Sequence, residues 1–311
     1  MAFVPRYLAL YESGELGNKI KRLLLFLESC TLCPRACKVN RLKGEVGVCG
    51  AGSTIVVSSV FPHFGEERPL VGHCGSGTIF LTYCNLKCVF CQNYDISHRA
   101  QGEEISSEEL ATYMVTLQQR GCHNINLVTP THFTPQLIAS LPKAIERGLR
   151  LPLVYNCGGY ESLEVIKLLE GIIDIYMPDA KFADPEVARK YCKAADYPEV
   201  NKQVLKEMHR QTGVLKINQQ GIAERGLLIR HLVMPGGLAG SKKILTFIAE
   251  ELSKESYVNI MAQYYPQFEA AYYPELNRRI TPQEYHEIIV MARSFGLYRG
   301  FPEMQEKLHA Q

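Results

Sequence analysis

The sequence has no long apolar run, no tryptophan and no large excess of charge of either sign. Its densest apolar stretch, residues 23–27, is too short to span a bilayer and is flanked by charged residues. The first residues lack the basic and apolar regions of a secretory signal peptide. A formal net charge of +2 gives no argument for binding nucleic acid or an anionic membrane. We therefore expect a cytoplasmic protein that binds neither nucleic acid nor membrane.

Cysteine, by contrast, is plentiful, with 11 residues in a chain of 311. Disulfides are rare in the reducing cytoplasm, so many thiols in a chain of this kind indicate metal ligands. Two sets of closely spaced cysteines stand out. We expect Cys74, Cys122 and Cys157 to be packing residues, although Cys74 lies just before a predicted strand and is a candidate neighbour of a metal site; the sequence assigns no role to Cys192.

One set is Cys84, Cys88 and Cys91, with the spacing Cys-x3-Cys-x2-Cys. Three thiolates can hold three irons of a four-iron, four-sulfide (4Fe-4S) cluster and leave the fourth iron free for a substrate or cofactor. A zinc site completed by a distant residue is the alternative. The spacing, the aromatic Phe90 and the position after a predicted strand favour the cluster.

The other set is Cys30, Cys33, Cys37 and Cys49, which offers four ligands and therefore a closed site. Structural zinc and a second 4Fe-4S cluster both accept four thiolates. We favour the cluster slightly, because the triplet already makes the protein dependent on cluster assembly.

From Gly77 onward, apolar runs alternate with segments that carry helix-start signals. Six strands are predicted, at residues 78–83, 124–129, 151–156, 172–177, 227–234 and 257–262. Helix starts are predicted at Ser106-x-x-Glu109, Thr134-Pro135, Asp184-Pro185 and Thr281-Pro-Gln-Glu284. Strands joined by helical crossovers form a parallel sheet, which is either an open doubly wound sheet or an incomplete barrel.

The triplet segment reads Cys84-Asn-Leu-Lys-Cys88-Val-Phe-Cys91-Gln-Asn93-Tyr-Asp95. It resembles the radical S-adenosylmethionine (SAM) superfamily, and within it a branch related to the pyruvate formate-lyase activating enzyme. The resemblance covers most of the chain. It implies an α/β fold, a partial (β/α)6 TIM-like barrel over residues 76–263. An N-terminal Cys-rich segment, 1–75, and a C-terminal helical extension, 264–311, would flank the barrel.

The resemblance also implies the chemistry. The open iron of a 4Fe-4S cluster would bind SAM, and an electron from the cluster would cleave it to a 5′-deoxyadenosyl radical that abstracts hydrogen from a substrate. Asp179 and Lys181 are similar to an Asp-x-Lys motif whose acid bonds the ribose and whose lysine lies beside the carboxylate of SAM. Arg230 matches a strand-five arginine that approaches the same carboxylate.

Further SAM-binding residues follow from the resemblance. They are Phe90 and Asn93 in the triplet segment and Asn156 at the end of the third strand. After the second strand, where the family commonly has Gly-Gly-Glu, this chain instead has Thr129-Pro-Thr131-His132. We expect Thr131 and His132 to meet the amino group of SAM there, because hydroxyl, carbonyl and imidazole groups can accept from an ammonium.

The substrate that the resemblance implies first is a glycine in a partner glycyl-radical enzyme, with a peptide or small molecule as the alternative. A low-potential donor of the flavodoxin or ferredoxin type would supply the electron. A barrel mouth covered by residues 1–75 or 264–311 would favour a small substrate over a protein loop. A non-catalytic iron–sulfur or zinc protein, serving in electron transfer or as a scaffold, is the alternative of another class.

Overall fold

The computed structural model describes residues 3–301 and is built around one large sheet. Its strands are β1 (Ile55–His63), β2 (Ser76–Leu81), β3 (Glu103–Ile105), β4 (Ile125–Val128), β5 (Leu153–Cys157), β6 (Ile175–Pro178), β7 (Lys216–Ile217), β8 (Ala223–Leu232) and β9 (Tyr257–Met261). The strand order is β3-β1-β2-β4-β5-β6-β8-β7, and β9 also pairs with β8.

Six of these strands form the parallel row that the sequence predicts. Strands β2, β4, β5, β6, β8 and β9 pair in that order, each parallel to the next. Within residues 3–301, no strand pairing joins β9 back to β2, so the barrel is not closed. The predicted partial TIM-like barrel is confirmed.

Helices connect the strands and cover the outer face of the sheet. They are α1 (Arg6–Glu12), α2 (Glu15–Leu25), α3 (Arg68–Val71), α4 (Tyr94–Ser97), α5 (Ser107–Gln119), α6 (Thr134–Glu146), α7 (Leu163–Leu168), α8 (Pro185–Cys192), α9 (Tyr197–Thr212), α10 (Ser241–Phe247) and α11 (Pro282–Ser294). None of the helices among residues 3–301 is both long enough and apolar enough to cross a lipid bilayer.

Most of the predicted helix starts are confirmed by their hydrogen bonds. Ser106 and Thr281 each form a complete capping box, and Asp184 accepts hydrogen bonds from two backbone N–H groups at the start of α8. Thr134, predicted as an N-cap, is instead the first residue of α6, and its hydroxyl lies 2.9 Å from the hydroxyl of Tyr155. A boundary shift of one residue is common at helix ends.

Side-chain alternation gives the sheet two different faces. Ile79, Leu127 and Tyr155 lie in the core between sheet and helices. Val154, Ile175, Met177 and Leu228 form a separate apolar cluster inside the barrel, closed by Leu70 of α3. Because side chains two residues apart share a face, Asn156, Asp179 and Arg230 follow this inner cluster toward the carboxyl ends of the strands.

Strand β1 runs through a proline, a residue that commonly ends a strand. It continues past Pro62 to His63 and pairs antiparallel with β2. On the other side of β1, β3 covers only residues 55–57, so the missing N–H of Pro62 interrupts no pairing there. The sheet therefore extends into the predicted N-terminal segment 1–75. The last part of the predicted C-terminal extension, 302–311, lies outside the described residues.

Candidate active site

Three charged side chains meet at the carboxyl ends of β6 and β8. Lys181 Nζ donates to Asp179 Oδ2 at 2.6 Å, and Arg230 Nε donates to Asp179 Oδ1 at 2.9 Å. The Asp179 side chain is 13% exposed and the two cations 19% each. Burial works against ionisation of Asp179, but the charges of Arg230 and Lys181 outweigh it and lower its pKa. A buried carboxylate is thus held charged between two cations.

Lys181 also connects this trio to the cysteine triplet. Burial lowers the pKa of Lys181, but Asp179 and then the sulfur atoms of Cys88 and Cys192 raise it above its usual value. In return, the charge of Lys181 works against the rise in the pKa of Cys84. Phe182, the residue after Lys181, packs edge-on against Phe90 of the triplet segment, with ring centroids 5.8 Å apart. The triplet and the charged trio therefore belong to one site.

The three thiols of the triplet share a buried environment. Burial, together with the neighbouring Cys88 and Cys91, raises the pKa of Cys84 to about 12. The Leu86 N–H donates to Cys84 Sγ at 3.4 Å, and Cys91 Sγ lies 3.1 Å from Ser97 Oγ. Bare thiolates are unfavourable here, and bound iron would supply the positive charge that stabilises them. The donor set fits an iron–sulfur cluster.

Within residues 3–301, no group of three or more His, Cys, Asp or Glu side chains is arranged to hold one metal ion. Around one zinc ion, all four thiolates lie about 2.3 Å from the same atom. In a 4Fe-4S cluster each cysteine binds a different iron, so the sulfur atoms are spaced more widely.

Two side chains of α9 hydrogen-bond to the backbone around Asp179. Asn201 Nδ2 donates to the carbonyl groups of Gly159 at 3.0 Å and Asp179 at 2.8 Å. The Tyr197 hydroxyl lies within 3.0 Å of the Asp179 carbonyl and accepts from the Lys181 N–H at 3.1 Å. Gly159 has φ +73°, and a Cβ there would lie 2.2 Å from the Asp179 carbonyl oxygen. This close approach requires glycine.

The other predicted SAM-binding residues have different surroundings. Phe90 is buried and packs edge-on against Phe182, with ring centroids 5.8 Å apart. Asn93 is exposed and precedes α4. Asn156 is buried on the inner face of β5, beside Met177 of β6. Of these three, only Asn156 points toward the same inner face as Asp179.

Thr131 and His132 lie toward the early cysteine group. The Thr131 hydroxyl donates to Glu161 Oε1 at 2.9 Å, and both side chains are buried. His132 lines a cavity together with Cys30, Cys33, Cys37 and Cys49. No contact of either residue with the charged trio is found within residues 3–301, and their assignment to SAM stays a prediction.

The structure adds residues that sequence reasoning missed. Glu66 Oε2 lies 3.9 Å from a terminal nitrogen of Arg230, and burial raises the pKa of Glu66 to about 7. Cys192, to which the sequence assigns no role, has its Sγ 3.2 Å from that of Cys88. Both lie far from the triplet in sequence, and no motif marks them. Cys74, the candidate neighbour of the cluster, instead lies near Cys122 at the opposite, amino end of the strands.

Comparison with known proteins agrees with this geometry. The sequence profile of the radical SAM superfamily matches residues 78–218, a range that includes the triplet, Asp179 and Lys181. The chain is also 33% identical over 290 residues to the uncharacterized protein MJ0674 of Methanocaldococcus jannaschii, covering 91% of this chain and 79% of that protein. The chain belongs to the radical SAM superfamily. A 4Fe-4S cluster and SAM are therefore its cofactors, as predicted, while the residues that hold them stay predictions.

Two solved structures of TsrM, a radical SAM methyltransferase from Kitasatospora setae, show a weaker likeness. The structure with cobalamin and a [4Fe-4S] cluster has a TM-score of 0.44 and 15% identity, covering 62% of this chain and 37% of that chain. The structure with tryptophan and a SAM analogue has a TM-score of 0.46 and 11% identity, covering 68% and 50%. This radical SAM protein thus spans half of TsrM or less.

Proposed function

We propose that this protein is an enzyme that reductively cleaves SAM and removes a hydrogen atom from a substrate at the barrel mouth. The observation that carries the proposal is the position of Asp179, Lys181 and Arg230 beside the triplet segment, where Phe182 packs on Phe90. When bound, the cluster and SAM together supply the electron and the cleavable sulfonium that start radical chemistry.

The charged trio has the donors and acceptors that SAM requires. Asp179 accepts one hydrogen bond on each carboxylate oxygen, which leaves lone pairs for the hydroxyl groups of a ribose. Arg230 uses only Nε for Asp179, so its terminal nitrogens are available to a carboxylate. Since the trio is largely buried, each of these interactions is stronger than it would be in water.

A segment after β9 covers the side of this site. β2 and β9 are the two ends of the parallel row, and the triplet loop follows β2. The Glu269 N–H donates to the Val89 carbonyl at 2.9 Å, and Phe268 stacks on Tyr94 with ring centroids 5.2 Å apart. Residues 263–269 therefore cross from the top of β9 to the triplet loop, where they exclude water from the gap between the two strands.

This crossing bears on the substrate. A small molecule or the end of a peptide needs less room than a folded loop of a glycyl-radical enzyme, so the covered gap favours the smaller substrate. Activation of a glycyl-radical enzyme is the second candidate, and the triplet sequence is the observation that favours it. In either case the electron would come from a flavodoxin- or ferredoxin-type partner.

Binding of SAM to variants of the trio tests the proposal. Replacing Asp179 and Lys181 together by alanine should abolish SAM binding, measured by equilibrium dialysis of anaerobically reconstituted protein, and leave most of the iron in place. Replacing Glu186 and Arg189, an exposed ion pair on α8, is the matched control and should change neither. Undiminished SAM binding in the Asp179/Lys181 variant would show that the trio does not hold SAM and would contradict the proposal.

A further inference from the structure

The early cysteines converge in space as well as in sequence. Cys30, Cys33, Cys37 and Cys49 all line one cavity, which lies beside the triplet loop. The Val48 N–H donates to Cys37 Sγ at 3.4 Å, so the segment that carries Cys49 lies next to the segment of the first three cysteines. The profile match begins only at residue 78, so it assigns no role to this group.

His132 contributes a buried nitrogen to the same cavity. Its Nε2 lies 2.7 Å from the Thr82 carbonyl oxygen, which can only accept, so Nε2 carries the proton and Nδ1 has a free lone pair. Nδ1 is buried and has no hydrogen-bond partner among residues 3–301. A buried polar atom without a partner calls for an explanation. A histidine that gives one N–H to a backbone carbonyl and keeps the other nitrogen free is arranged as metal-binding histidines are.

Two arginines add positive charge around the cavity. Arg41 is 1% exposed, and its guanidinium donates to the carbonyl groups of His132 and Gly52. Arg35 donates to the carbonyl groups of Asn85 and Cys192. Within the described part of the chain neither arginine pairs with a carboxylate. Arg41 is a buried cation and needs a nearby negative charge, which four metal-bound thiolates would carry, whereas Arg35 is only partly buried.

We propose that Cys30, Cys33, Cys37 and Cys49 hold a second 4Fe-4S cluster, with His132 in the wall of its cavity and the positive charges of Arg35 and Arg41 beside it. A cluster is favoured over one zinc ion, because the triplet already makes the protein dependent on cluster assembly and four thiolates complete the ligands of a 4Fe-4S cluster. The inference does not depend on the proposed reaction at the triplet.

The same residues connect the two cysteine groups. His132 Nε2 lies 2.7 Å from the Thr82 carbonyl oxygen, and Arg35 Nε donates to the Asn85 carbonyl at 3.1 Å. Thr82 and Asn85 lie on either side of Cys84 in the sequence. The walls of the second site are therefore hydrogen-bonded to the loop that carries the triplet. Disturbing the second cluster should consequently alter the spectrum of the first.

Metal analysis of a triplet-free variant tests the second cluster. With Cys84, Cys88 and Cys91 all replaced by alanine, anaerobically reconstituted protein should retain about four irons and about four sulfides per chain. Replacing Cys33 and Cys49 as well should remove them, with circular dichroism showing that the fold persists. Zinc in place of iron, or no bound metal in a folded triplet-free variant, would overturn the proposal. The assay uses no SAM, so its outcome is independent of the reaction at the triplet.

Two substitutions of His132 test its part in the site. In the triplet-free variant, His132→Gln keeps an amide near the Nε2 position but loses Nδ1, whereas His132→Asn keeps a polar atom near Nδ1. We expect His132→Gln to hold iron about 10- to 100-fold less tightly against a chelator and to change the electron paramagnetic resonance spectrum of the reduced cluster. His132→Asn should change both less.

His231 provides the matched control, because it is also buried and hydrogen-bonded, at the Ala180 carbonyl and Ser241, away from the cavity. His231→Gln should leave the iron affinity and the spectrum unchanged. Equal iron retention and equal spectra in the His132→Gln and parent proteins would overturn the role of His132.

Discussion

Asp179 and Arg230 are joined twice across neighbouring strands. The two side chains share a hydrogen bond of 2.9 Å, and the Arg230 carbonyl accepts from the backbone N–H of Ala180, next to Asp179, at 2.8 Å. The strand pairing thus sets the distance between the acid and the cation. Since SAM needs both a hydroxyl acceptor and a carboxylate partner, this fixed pair explains how the end of a sheet can present both to one ligand.

Removing Asp179 should destabilise the fold as well as the site. Asp179→Ala leaves Lys181 and Arg230 buried without their partner, and breaking a buried ion pair typically costs about 3–5 kcal/mol. Urea unfolding of the metal-free protein measures this effect. Asp179→Asn keeps the shape of the side chain but loses its charge. Arg189→Ala, on the surface of α8, should have little effect on the free energy of unfolding. An Asp179→Ala loss no larger than that of Arg189→Ala would contradict the account of the trio.

Gly159→Ala should weaken SAM binding through the backbone of Asp179. The added Cβ would lie 2.2 Å from the Asp179 carbonyl oxygen and 2.3 Å from Asn201 Nδ2, so the carbonyl must move. Gly148, with φ +93° and no atom within 4 Å of its would-be Cβ, shares the backbone strain but not the contact. Equilibrium dialysis should therefore show weaker SAM binding for Gly159→Ala than for Gly148→Ala. Equal affinities would mean that the close approach does not position Asp179.

Glu66 should make SAM binding depend on pH. Burial raises its pKa from 4.5 to about 7, so it is neutral at lower pH and becomes an anion above that value. The ionised form would compete with the carboxylate of SAM for Arg230. The dissociation constant of SAM should then increase as pH rises through about 7, by at most about tenfold per pH unit. Glu66→Gln should remove this part of the dependence, and identical pH profiles would rule out the competition.

Thr129 holds a strained backbone at the end of β4. Its φ is +59°, a region that branched side chains rarely adopt. Glycine relieves this strain and alanine does not, so Thr129→Gly should be more stable than Thr129→Ala by about 1 kcal/mol in urea unfolding. If the alanine variant is as stable as the glycine variant, the backbone of Thr129 is not strained.

The sequence predicts the fold best where a local sequence pattern is compatible with only one kind of structure. The capping boxes at Ser106 and Thr281 lie where they were expected. A Ser or Thr followed three residues later by Glu is a specific helix-start signal, because the two side chains accept hydrogen bonds from N–H groups that have no partner within the helix. The six parallel strands are recognisable because both of their faces are buried. The path of β1 through Pro62 was missed, since local sequence does not show which strand edge lacks a partner.

The site is less predictable, because its geometry depends on contacts between distant residues. Asp179, Lys181 and Arg230 follow apolar strands and can be recognised as charges that packing does not explain. The position of His132 beside the early cysteines depends on how residues 30–49 fold over the end of β4, which no local pattern indicates. The approach of Cys192 to Cys88 likewise depends on the packing of α8 against the triplet loop.

The most direct test of the account is whether the protein cleaves SAM. Anaerobically reconstituted protein, reduced with dithionite and given SAM, should form 5′-deoxyadenosine, detected by mass spectrometry. A variant with Cys84, Cys88 and Cys91 replaced by alanine should form none. Absence of 5′-deoxyadenosine from wild-type protein with a full complement of iron and sulfide would contradict the proposed function.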